Sequence, residues 1–296
     1  MLLTLQQQFS PSIAFRFQSA LGGLALGLGL EKGADRGDLR SSNLDRTASS
    51  ASSLWNTIAQ GIDAVTGLRL ALPDPAIVWG ESDFLPLHYL PWICVLAGDG
   101  SSQDPLLKTV LNRGGDSNPQ DAIVFLLQVW EMYLQAPPRS STPEFSQKIS
   151  QKNFPEFSPP PIRDSHPRVQ QAWTILHQCR QQHPTLSQGL EQWDILTENL
   201  DLYALGIALW LTLRSDGHFP LSLVQVPFVC SACATELPSL QRKLWAYTGL
   251  LAGFVTAKIP WDCLPLTERS RLQAQGDRLF RAWAGRDLMT LNRVST

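Results

Sequence analysis

The chain has 296 residues, 44% of them hydrophobic, enough to bury a substantial core and to argue against a disordered protein. Its 24 basic and 26 acidic residues leave a formal net charge of -2, so no bulk field draws it to nucleic acid or to anionic lipid. Five cysteines, an odd number spread along the chain, argue against a secreted disulfide framework and fit reduced thiols in a cytoplasm.

The first apolar run, ALGGLALGLGL at residues 20–30, lacks a small-residue cleavage site and is shorter than the roughly 20 residues a membrane span needs, so a buried helix is expected there. Residues 32–53 combine scattered charges with the serine-rich TASSASS and are expected to form a long loop. Residues 121–135, DAIVFLLQVWEMYLQ, carry Ile123, Leu126, Leu127, Trp130 and Leu134 at helical spacing behind an acid of capping type, Asp121, and Pro137 stops the run. A second long loop is expected over the proline-rich residues 136–167.

Beyond that loop the helical period returns. Val169, Trp173 and Leu176 share one face of residues 168–182, and residues 200–214, LDLYALGIALWLTLR, are apolar on nearly every side and expected at the centre. Residues 221–229 are ambiguous between strand and helix. Helices are expected again over 239–257, behind Pro238, and over 267–284, with Leu272, Leu279, Phe280 and Trp283 inward. The run from Leu244 to Ile259 is interrupted by Lys258 and is also too short to span a bilayer. The expected fold is all-α, a single compact multi-helix domain over residues 1–296 with no membrane span.

Few constellations carry chemistry. Cys230 and Cys233 form a C-x-x-C that, with Cys263 and His218, would supply four zinc ligands, but the second half lacks metal-type spacing and no thioredoxin-like strand and helix frame the motif. Two packed cysteines are the plainer reading. Gly22, Gly23, Gly27 and Gly29 follow no strand and make no dinucleotide loop, and His88, His166, His177, His183 and His218 have no evident nucleophile partner in sequence.

Two glycine-patterned segments point further. Residues 16–30, RFQSALGGLALGLGL, resemble the opening helix R-x-x-G-A-L-L-G-L-A-x-G-D-A-L-G of the ADP-ribosylglycohydrolases, with Gly23 and Gly27 on its spaced glycines. Residues 248–261, TGLLAGFVTAKIPW, are similar to that family's late segment G-x-x-A-G-x-x-x-G-x-x-x-I-P-x-x-W through Gly249, Ala252, Gly253, Ile259 and Pro260, although the later glycine is missing and the spacing to the proline is shorter. Small residues four apart let helices approach closely, so these four glycines are expected at helix contacts between the two segments.

The resemblance implies a helical fold of that family and, in active members, two magnesium or manganese ions held by an early T-D-D and a late D-x-D-T motif. Such ions need clustered carboxylates. Here the matching cleft positions are Leu28, Ser52, Ser53, Leu240 and Arg242, four neutral residues and one cation. The expectation is a non-catalytic relative acting as a binding or scaffold module, with no cofactor, and another protein as its partner. Two alternatives stand beside it. One is an active hydrolase of ADP-ribosyl glycosidic bonds, using magnesium or manganese with acids such as Asp63, Glu81 or Asp83. The other is an unrelated helical adaptor. The low charged fraction, 17% beside ten tryptophans, suits a protein that buries part of its surface against a partner.

Overall fold

The computed structural model describes residues 11–34, 48–66, 84–97, 117–135, 166–233 and 238–294. Every regular element among them is helical, and none of these helices is long and apolar enough to cross a membrane. In chain order they are α1 (Pro11–Ala34), α2 (Ala48–Thr66), α3 (Leu85–His88), α4 (Leu90–Leu96), α5 (Ser117–Gln135), α6 (Pro167–Gln182), α7 (Leu186–Trp193), α8 (Leu200–Arg214), α9 (Phe219–Val224), α10 (Val226–Ala232), α11 (Pro238–Thr256) and α12 (Leu266–Val294). Short 3-10 turns, Asp194–Leu196 and Trp261–Cys263, join α7 to α8 and α11 to α12.

A helix apolar on nearly every side must sit inside, and the one that reads so in sequence does, as does the apolar run expected to form a buried helix. Residues Leu202 to Leu213 of α8 are all buried. Along α1, Phe17, Leu21, Leu24 and Leu28 are buried on successive turns. The most extensive helix pairing is α1 with α11, and it is antiparallel: Gly23 lies on Gly249, Gly27 on Trp245 and Ser19 on Gly253. α12 covers another side of α1, α8 backs α11, α5 and α6 flank α8, and α2 and α4 pack near α12. Phe254 of α11 ties these layers together. Trp130 of α5 stacks on it at 3.8 Å between centroids and 11° between planes, while Phe17 of α1 meets it edge-on at 6.4 Å.

Three expectations need correction. The loop over residues 32–53 is too long: α1 runs on to Ala34 and α2 begins at Ala48, inside the serine-rich stretch, while 35–47 lie outside the described residues. Composition misled because alanine favours a helix and serine tolerates one. The buried Leu54, Ile58, Ile62 and Val65 then anchor the later turns, so the opening turns need no packing of their own. Asp121 is not a cap. α5 starts a turn earlier at Ser117, with Pro119 in its first turn, and Asp121 is buried inside the helix with its carboxylate 2.7 Å from His166 Nδ1. The closing helix reaches Val294 rather than residue 284.

Residues 221–229 resolve as helix. Pro220 and Pro227 open α9 and α10, where a missing N–H costs nothing. The proline-rich loop expectation falls outside the described residues except at its end, where Pro167 is the first residue of α6. A capping box that the sequence reading passed over starts α7: Thr185 Oγ1 accepts from Gln188 N–H, and the Gln188 side chain accepts from Thr185 N–H.

Candidate functional site

The centre of the molecule is the α1–α11 seam. A methyl group added at Gly23 would strike the Gly249 carbonyl, and one at Gly249 would strike the Gly23 carbonyl. Gly27 faces the Trp245 carbonyl in the same way and Gly253 faces that of Ser19. The two backbones therefore touch at three successive levels along the helices, which only a stripe of small residues permits. Gly22 extends the meeting: a Cβ there would come within 2.8 Å of the Trp261 ring. Residues of the early and late segments thus lie face to face.

Three of the five cleft positions, Leu28, Leu240 and Arg242, sit on these same helices. Leu28 is 5% exposed and Leu240 2% exposed, both part of the apolar core, and Arg242 is half-buried on α11. Ser52 and Ser53 lie on α2, but their side chains are outside the description. Of the acids kept for the hydrolase alternative, Asp63 is on the surface of α2 with its carboxylate 2.6 Å from Arg278 of α12. Glu81 and Asp83 fall outside the described residues.

Beside Leu240 and Arg242 the chain holds one ion pair that sequence reading missed. Lys243, 5% exposed, donates from Nζ to Asp201 at 2.6 Å, and the Tyr247 hydroxyl donates to the same carboxylate oxygen at 2.6 Å. Asp201 is in the first turn of α8, where a carboxylate is also favoured by the helix dipole. One position before α8, Asn199 caps the helix by accepting from Leu202 N–H and also bonds Asp121. Burial raises the Asp121 carboxyl above its ordinary range, with His166 and then Arg168 opposing the shift. A readable signal existed: Leu240, Lys243 and Tyr247 share one helical face, so a charged residue stands on a buried stripe.

The cysteines do not assemble a zinc site. Cys230 lies in the last turn of α10 and Cys233 follows the helix, with the Tyr203 hydroxyl 3.4 Å from Cys233 Sγ. Among the described residues no group of three or more His, Cys, Asp or Glu side chains is placed to hold a metal ion. A polar surface depression lies between α6 and α7, lined by Gln182, Pro184, Gln188, Glu191 and Gln192, away from the glycine seam. No known protein family, curated protein or solved structure matches the chain.

Proposed function

We propose that this chain is a non-catalytic binding or scaffold module of the ADP-ribosylglycohydrolase type, whose partner is another protein. The observation that carries the reading is the pair Leu28 and Leu240, apolar and buried where the resemblance puts metal-binding acids. Charge supports it as well. Lys243, three residues after Leu240 on the same helix, holds Asp201 together with Tyr247, and a dication about 4 Å from the Lys243 ammonium would be repelled by roughly 8 kcal/mol at an effective dielectric of 20.

Support for the type itself comes from the chain order of the two glycine helices and from Ala257. That residue stands where the late pattern has its further glycine, and its φ of 54° lies in the left-handed region glycine prefers. Titration calorimetry with manganese, run beside release of ADP-ribose from a modified-arginine substrate, tests the reading. No heat of stoichiometric binding and no product are expected. Metal uptake with metal-dependent turnover puts the hydrolase alternative in its place.

A further inference from the structure

The C-x-x-C motif is left over from the reading above, and its surroundings give it a chemistry of its own. Cys230 lies in the last turn of α10 and Cys233 is the residue that leaves it, with φ -69° and ψ 120° and its N–H still bonded to the Val229 carbonyl at 2.9 Å. Positions three apart on a helix hold their Cβ atoms about 5–6 Å apart, whereas a disulfide needs about 3.5–4.5 Å. Closing the gap needs a turn about φ of Cys233, a residue that no helix continues beyond, with release of its sulfur from Tyr203. Both thiols are half-buried rather than sealed, and the Tyr203 hydroxyl at 3.4 Å fixes the Cys233 sulfur against α8. Cys94 and Cys179, by contrast, are buried, and Cys263 is exposed with no cysteine three positions away.

The geometry points to Cys230 and Cys233 as a dithiol that small-molecule disulfides convert into an intramolecular disulfide. The Cys233 thiolate attacks one sulfur of oxidised glutathione and expels a glutathione thiolate. The Cys230 thiolate then attacks the Cys233 sulfur of the mixed disulfide and expels the second. The two thiol protons pass to the two leaving thiolates, so one oxidised glutathione becomes two reduced ones. Burial pushes the Cys230 thiol up to about 11 and raises Cys233 as well. The reduced pair therefore reacts slowly, and once joined each sulfur is a poor leaving group, which protects the bond from exchange.

The test exposes the reduced full chain to excess oxidised glutathione and follows intact mass, peptide maps and alkylation by iodoacetamide. In Cys263→Ser the expected result is loss of two hydrogens, a bridged Cys230–Cys233 peptide and recovery of both thiols with dithiothreitol. Cys230→Ser should retain one glutathione on Cys233, the trapped intermediate. Glutathione retained on both Cys230 and Cys233 in Cys263→Ser overturns the inference, as does continued alkylation of both thiols while wild-type Cys263 becomes modified.

Discussion

Glycine does two different jobs in this core. Along α1 and α11, Gly23, Gly27, Gly249 and Gly253 make room for the backbone of a facing helix. Elsewhere a glycine makes room for an indole ring: Gly61 of α2 receives Trp92 of α4, Gly189 of α7 receives Trp210 of α8, and Gly206 of α8 receives Trp193 of α7. The last two contacts are reciprocal, each helix giving a notch and a ring. A backbone carbonyl is present whatever residue occupies its position, whereas a ring can be exchanged for a smaller one. The seam should therefore tolerate no compensation, and the notches should.

Gly249→Leu should have the largest effect, at least about 3 kcal/mol of lost stability in urea unfolding, because the added branch meets the Gly23 backbone. An unchanged midpoint would show that the two helices separate freely. On the ring-filled side, burial holds the His88 imidazole of α3 down from 6.5 to about 4, with desolvation as the cause. Its neutral form supports the fold fully above 6.5, and as pH falls the unfolded chain takes up the proton first. About 3 kcal/mol should be lost by the time pH reaches the folded value near 4. His88→Gln should remove that part of the pH dependence, read as a gap between variant and wild type that narrows with acid.

Next comes the comparison itself. Gly206→Ala should cost about 1–2 kcal/mol against the Trp193 ring. Adding Trp193→Phe should recover part of this, a favourable coupling of about 0.5 kcal/mol or more in a double-mutant cycle. Additive costs would mean that the notch, like the seam, cannot adapt. Ala257→Gly should act least and in the opposite sense, raising stability by about 1 kcal/mol through relief of the left-handed backbone at the end of α11. A lower melting midpoint would show that another contact holds Ala257 in place.

The seam was readable because its signal is local: glycines four apart on each of two apolar helices. Its remaining members were not. Ser19 looked polar, although it supplies the small surface opposite Gly253, and Gly276 of α12 approaches the Gln18 backbone with no glycine partner to betray it. The helical class followed from the 3.6-residue period, and failed at 48–53 because composition counts ordering entropy but not the packing supplied further along the same helix. The Asp201–Lys243 pair joins residues 42 positions apart, so only the odd lysine on a buried stripe hinted at it. Its carboxylate partner could not be named from pattern.

α1 is gripped by the two helices that come last, α11 and α12, and Gln18 donates to Asp277 across 259 positions of chain. During synthesis at about 5–20 residues per second, α1 therefore waits roughly 10–50 s for those partners to be made. Throughout that interval the apolar face of α1, with Phe17, Leu21, Leu24 and Leu28, lacks the two helices that cover it and is open to solvent or to whatever chaperone meets it. The wait also makes the seam a late contact: closing so long a loop must precede any gain from it, so substitutions in the glycine stripe should speed unfolding more than they slow folding.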